Sequence, residues 1–270
     1  MRFPLLICLL CALCVLFPVL CAQGAQVGVE GVKRFPNYNA AHADDLSTLP
    51  YTFNICNGVW DELSTGHARD FYWAYTDCWE KDIRAASEGG LDSSFADNVD
   101  LFFLATHGNN WGDSVRVFYD STQEWWISDS TKWRLGNGDL EWIAFYSCDT
   151  LPFGEIWDTC IQFFYGLHEV LGAYDTLWYG ITTDEVGEDF AENLKDGWRV
   201  YTAWLYGLED WWCDQHPLVA CAEQEETWDG GDIDWPNTRI ERDHYHGHGT
   251  VVSDLPHDQI YYFSYYWLEP

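Results

Sequence analysis

Two short runs limit what this chain can fold into. Residues 99–105 read V-D-L-F-F-L-A and residues 142–146 read W-I-A-F-Y. Both have strand length and are apolar at nearly every position rather than at every second one. An unbroken run of this kind suits a strand covered on both faces, as in a parallel sheet with helices above and below. Helical spacing elsewhere supplies the covering layers. It appears at Ile156, Trp157, Cys160, Ile161 and Phe164, and at Val186, Phe190 and Leu194 after a Thr182/Glu185 capping box. Tyr201, Trp204, Leu205 and Leu208 continue it. Phe71, Tyr75, Trp79 and Ile83 recur every four residues, which predicts a helix over 68–87 that Gly89-Gly90 stops. Further strands are expected at 51–56, 168–174 and 217–223. Residues 113–119 and 124–128 read as a projecting hairpin. Strands alternating with helices define an α/β chain with a mainly parallel sheet.

Residues 1–25 have one charge, Arg2, then an apolar run from Phe3 to about Ala22 and small residues at Ala22, Gly24 and Ala25. This is the pattern of a secretory signal peptide. The mature protein is expected to be secreted, periplasmic or at the cell surface, with no membrane association after signal removal. Residues 26–50 are polar and irregular and read as an N-terminal arm. Residues 51–270 then form one α/β domain. Signal removal takes Cys8, Cys11, Cys14 and Cys21 and leaves six cysteines for an oxidising compartment. Cys213 and Cys221, close in sequence across a loop with Pro217, are the expected disulfide. Cys56 with Cys78 and Cys148 with Cys160 are further possible pairs.

Composition narrows the function. With 13 Lys+Arg against 44 Asp+Glu, the net charge is -31. A phosphate backbone repels such a chain, so nucleic acid is excluded as a partner. Cationic substrates, bound calcium or salty surroundings suit the charge. The 47% hydrophobic content is enough for a buried core and excludes wholesale disorder.

The two apolar runs end on chemically capable residues. The first leads into Thr106-His107-Gly108 and the second into Ser147-Cys148-Asp149. In an open parallel sheet, sites form beyond the carboxyl ends of the strands. If the strands are neighbours, His107 and Cys148 leave the same edge. A thiolate attacks carbonyl carbon, an imidazole handles the proton, and the Gly108 N–H can face the oxyanion. Asn109 and Asp149 flank the pair and are the expected substrate contacts, with a peptide or protein as substrate. This chemistry requires no cofactor.

The arrangement resembles the caspase, gingipain and legumain group of cysteine peptidases, which places a His-Gly after one hydrophobic strand and a Cys after the next. The chain also resembles a family of secreted caspase-like proteins across roughly 89–251. The matching stretches are G-G-L-D at 89–92, V-D-L-F-F-L-A-T-H-G, S-C-D-T-L, G-L-H-E-V-L-G at 166–172, F-A-E-N-L at 190–194 and H-G-H-G-T-V at 246–251. The resemblance implies a caspase-like three-layer sandwich with a His107/Cys148 dyad. The residues after Cys148, D-T-L, differ from the Arg/Gln-Gly of caspases, so caspase specificity for acidic residues does not carry over.

Other signals concern metals. His244, His246 and His248 alternate and share one face if the segment is extended, a workable geometry for zinc. Asp243 and His257 can assist, and the match of this segment to the secreted caspase-like family implies a structural role near the active edge. Asp229, Asp232 and Asp234 offer a calcium loop outside the EF-hand order. His168-Glu169 begins an H-E-x-x pattern, but Gly172 stands where a zincin needs its second histidine, so His168 reads as a buried structural residue. Two alternatives stand beside a hydrolase: a non-catalytic caspase-like binding or cell-surface protein, and a carbohydrate-recognition protein drawing on the 18% aromatic content.

Overall fold

A computed structural model of the chain describes residues 24–41, 46–111, 114–119, 126–128, 132–151, 161, 164–180, 185–209, 215–223, 228–229, 232–233 and 242–268. In chain order the elements are β1 (Val27–Gly31), α1 (Pro36–Ala41), α2 (Thr52–Leu63), β2 (Phe71–Ala74), β3 (Leu101–Ala105), β4 (Gly108–Trp111), β5 (Ser114–Phe118) and β6 (Trp126–Ser128). They continue with β7 (Trp142–Tyr146), β8 (Glu169–Ala173), α3 (Val186–Lys195), α4 (Val200–Gly207), β9 (Pro217–Glu223), β10 (Trp228–Asp229), β11 (Asp232–Ile233) and β12 (Tyr262–Trp267).

Among the described residues, seven strands form the central sheet in the order β12-β9-β8-β7-β3-β1-β2. Strands β2, β1, β3, β7 and β8 pair in parallel, β9 pairs antiparallel with β8, and β12 pairs antiparallel with β9. The two apolar runs are β3 and β7, adjacent and in parallel register from Leu101↔Trp142 to Ala105↔Tyr146. Both are buried at every position. The molecule is a three-layer α/β sandwich.

One face of the sheet is covered by helices. Phe103 packs against Phe190 of α3 and Trp204 of α4, with ring centroids 6.4 Å away in each case. Phe190 and Trp204 meet edge to face at 5.3 Å. Such aromatic pairs add to the burial of their area. The Trp204 indole N–H donates to the Gly172 carbonyl at 3.0 Å, so α4 is tied to β8. On the opposite face Phe102 packs against Phe71, Phe71 against Phe95, and Phe145 stacks on Trp133. Among the described residues this face is covered by these side chains and a chain of 3-10 turns over 75–98. The expected hairpin is present as β5 and β6, and β4 completes a small antiparallel sheet.

Several expectations are corrected. Residues 26–50 are not an arm, because β1 pairs with both β2 and β3 inside the sheet. Its V-G-V-E-G sequence looks weak as a strand because neighbours take up the side-chain space. A Cβ on Gly28 would lie 2.5 Å from the Phe71 ring. Residues 51–56 are not a strand but mostly the start of α2, whose buried Thr52, Ile55, Cys56, Val59 and Leu63 keep helical spacing. Residues 68–87 are not a helix but β2 followed by 3-10 turns. Asp82 accepts from the Trp79 N–H, and Asp92 from the Ala86 and Ser93 N–H groups, which diverts the backbone from helical bonding. The strands expected at 168–174 and 217–223 are β8 and β9.

Cys56 and Cys78 are both buried free thiols rather than a disulfide. They point at the consecutive carbonyls of Glu30 and Gly31, at 3.4 and 3.5 Å. Cys160 and Cys213 lie outside the described residues, as do Thr182, Trp157 and Ile156 of the expected helix and cap, and Asp234. Residues 1–23, the bulk of the expected signal, also lie outside them. Among the described residues no helix is long and apolar enough to cross a membrane.

The Phe103, Phe190 and Trp204 cluster holds the helical layer on the sheet. Phe103→Ala is expected to lower unfolding free energy by about 3–5 kcal/mol, read by chemical denaturation.

Candidate functional site

The sheet order reverses between β1 and β3, since β2 lies to one side and β7 to the other. The carboxyl ends of strands at such a switch point open a crevice. β3, on one side of this switch point, ends in Thr106-His107, and β7, its neighbour away from β1, ends in Ser147-Cys148. Three contacts fix these ends. The Thr106 N–H donates to the Tyr146 carbonyl at 3.2 Å. The Thr106 hydroxyl donates to the Phe118 carbonyl. The Tyr179 hydroxyl donates to the Tyr146 carbonyl at 2.5 Å and lies 3.2 Å from that of Thr106.

Gly108 lies directly against the cysteine turn. A Cβ there would sit 2.1 Å from the Cys148 carbonyl and 2.4 Å from the Ser147 hydroxyl oxygen, so only glycine fits. Ser147 is buried and its hydroxyl has no partner among the described residues. The turn after Ser147 is tied to the end of β8. Thr150 donates to the Ser147 carbonyl and accepts from the Ala173 N–H, both at 3.2 Å. Asp149 takes a left-handed conformation with φ 51°, which aspartate tolerates better than most side chains. Its N–H donates to the Asp175 carbonyl at 3.2 Å. Asn109 is exposed on β4 beside this turn.

The two reactive side chains rest on different partners. His107 Nε2 lies 2.9 Å from the Ser47 carbonyl and the ring packs on Phe35 at 4.8 Å. A carbonyl only accepts, so Nε2 carries the proton and Nδ1 holds the free lone pair. The Cys148 thiol accepts from the Leu177 N–H at 3.3 Å and faces the Leu177 carbonyl at 3.7 Å. Burial lowers the His107 pKa against a raising by the Ser47 carbonyl. Burial pushes the Cys148 thiol up against a lowering by Leu177, and the charges of Asp149 and Asp175 push it further. At neutral pH the resting pair is therefore a neutral imidazole and a neutral thiol.

Sequence reasoning missed Ser47, Leu177 and Tyr179. Leu177 acts through backbone atoms, which carry no side-chain signature, and Ser47 meets His107 Nε2 with its carbonyl at 2.9 Å and its hydroxyl at 3.4 Å, from a loop sixty residues away in sequence. Tyr179 was one aromatic among many.

The remaining expected site residues lie elsewhere. His244, His246 and His248 do not converge. A tight turn forms where Gly247 has φ 85° and the His248 N–H donates to the Tyr245 carbonyl at 2.9 Å, so the alternation of an extended strand is lost. The segment also sits at the opposite edge of the sheet from His107 and Cys148. His246 Nε2 lies against Glu141 and Asp100, which immediately precede β7 and β3. His257 points away, with its Nδ1 at the Phe164 carbonyl. Asp229 and Asp232 pair across the β10–β11 ladder. Cys221 is buried in β9.

His168, before β8, is fully buried against Asp243. Asp243 also accepts from the Trp142 indole at 3.2 Å and from the Val252 N–H at 2.6 Å. Burial lowers the His168 pKa, but hydrogen bonds to Asp243 and Asp254 and the charges of Asp243 and Glu141 outweigh this and raise it to about 9.

A family model matches residues 29–269, and the chain belongs to that family, described as Domain of unknown function (DUF6345). The match begins within β1, in accord with that strand's place in the sheet. Neither the curated proteins nor the solved structures give a match.

A raised histidine pKa contributes stability that is full below the unfolded value, about 6.5, and is lost as pH rises through about 9. His168→Ala is expected to cost about 3–5 kcal/mol near neutrality by leaving Asp243 buried and unpaired. Denaturation across this pH window reads both effects; an unchanged pH slope in the variant contradicts the pairing.

Proposed function

We propose that this member of the DUF6345 family is a secreted cysteine hydrolase, an endopeptidase acting through His107 and Cys148. The observation that supports this reading is the parallel register of β3 and β7, whose carboxyl ends carry both residues to one crevice edge. Secretion rests on the apolar pattern of residues 1–25.

The resting contacts set the sequence of events. Substrate displaces the thiol from Leu177 and brings a carbonyl carbon to Sγ. The thiol proton passes to Nδ1 of His107 as Sγ attacks. The Ser47 carbonyl, holding Nε2–H, keeps the ring in the tautomer that accepts this proton and stabilises the imidazolium that forms. The Gly108 N–H receives the developing oxyanion. The imidazolium then protonates the leaving amine, which departs and leaves a thioester. Water, deprotonated by the same nitrogen, attacks the thioester carbon and releases the acid and the thiol. Asn109 and Asp149 stand where substrate would pass. Bond distances in a resting site tighten in the complex, so the thiol's rest on Leu177 is compatible with this chemistry.

That same rest on Leu177 favours a second reading, a non-catalytic caspase-like binding or cell-surface protein in which Cys148 is a structural thiol. Hydrolysis of a mixed peptide library separates the two. Cys148→Ala is expected to abolish cleavage and His107→Ala to reduce it by about 10²–10⁴. The acid limb of the rate profile is expected to fall below where an ordinary histidine would place it, because burial lowers the His107 pKa. Equal cleavage by wild type and Cys148→Ala, or none by either, rejects the catalytic reading.

A further inference from the structure

We propose that Asp100, Glu141 and His246 form a binding site for zinc or a similar borderline divalent metal at the amino-terminal edge of the sheet. One oxygen of each carboxylate and one ring nitrogen lie within 4.8 Å of one another. His246 Nε2 is 3.2 Å from Glu141 Oε1 and 3.5 Å from Asp100 Oδ1. Charge-assisted N–H···O bonds close to about 2.7–2.9 Å. Around a tetrahedral zinc with bonds of about 2.0–2.1 Å, neighbouring donors stand about 3.3 Å apart. The observed separations match the edge of that tetrahedron better than two good hydrogen bonds shared by one ring nitrogen. A single Nε2–H can donate well to one carboxylate only, whereas a metal satisfies both.

Other atoms at the site agree. Glu141 Oε2 is buried with no hydrogen-bond partner among the described residues. Asp100 Oδ2 is taken by the Gln26 N–H, which fixes the carboxylate and leaves Oδ1 to the shared point. The His246 ring is oriented by Trp142, edge to face at 5.5 Å. Trp142 is held in turn by Asp243. The His246 loop is braced by the His244 N–H to the Thr250 carbonyl at 3.0 Å and by Val252 N–H to Asp243. Asp100 and His246 are thus each positioned by a second group, as metal ligands commonly are. Two carboxylates face one imidazole in a partly buried site, an excess of acid that stays costly without a second cation. A dication removes that penalty. One nitrogen and two oxygens favour zinc over calcium, which takes oxygen donors. The metal would join β3, β7 and the 243–252 loop, distant from the His107/Cys148 edge and independent of its chemistry.

The test is a zinc titration of chelator-treated protein by calorimetry and thermal melting. One tight equivalent with a raised Tm is expected, with calcium and magnesium without effect. Asp100→Asn and His246→Gln are each expected to weaken zinc binding at least tenfold. Glu62→Gln, in the exposed Glu62/Glu188/Glu192 cluster, is expected to bind as wild type does. X-ray absorption of the zinc-loaded wild type supplies a readout that needs no variant, with one imidazole nitrogen and carboxylate oxygens around the metal. No tight zinc binding by wild type, unchanged binding by folded His246→Gln, or a first shell without imidazole overturns the proposal. In that case the group is a histidine ion pair alone.

Discussion

Residue-for-residue parallel pairing between Leu101–Ala105 and Trp142–Tyr146 is the constraint on which the rest of the structure depends. A parallel pair has no short hairpin connection, so both faces need covering layers and the crossovers must pass over them. The Phe103 cluster and the Phe102 and Phe145 stacks supply that cover. The same register decides what reaches the two edges. At the carboxyl edge it aligns Thr106 with the end of β7 and brings the ends that carry His107 and Ser147-Cys148 to one edge of the sheet. At the amino edge it sets Asp100 beside Glu141. A slip of one residue would turn every side chain of β7 to the other face and disperse both groups.

The two edges resolve charge differently. At the carboxyl edge burial keeps both the thiol and the imidazole neutral. The backbone does much of the positioning: the Ser47 carbonyl sets the imidazole tautomer, Leu177 holds the thiol and Gly108 makes room. At the amino edge carboxylates outnumber cations. Asp243 is paired with a raised His168, while Asp100 and Glu141 share His246. In a chain with net charge -31, that concentration of acid at one sheet edge is met by His168, His246 and Arg69, the last paired with Asp139.

Much of the fold could be read from the sequence because β3 and β7 are unbroken apolar runs and α3 and α4 keep helical spacing. The carboxyl-edge candidates could be read for the same reason, since each apolar run leads directly into its candidate residue. The failures have separate causes. In β1, glycines stand where Phe71 and α2 need room, so the strand lacks apolar density. Over 71–83 a four-residue recurrence imitated a helix, but the segment opens as β2 and Asp82 captures the Trp79 N–H. The alternating histidines imitated a strand face that the turn at Gly247 removes. The partners of His246 lie more than a hundred residues away in sequence, before two strands, and only the sheet brings them together.

The central claim is that Cys148 is the nucleophile and His107 its base. Its most direct measurement is mass-spectrometric mapping after treatment with a peptidyl acyloxymethyl ketone, an electrophile that a cysteine hydrolase attacks from a bound pose. The account predicts a single thioether on Cys148, formed in the folded protein and suppressed in His107→Ala. No adduct on the folded protein, or equal labelling of Cys148 with and without His107, would contradict it.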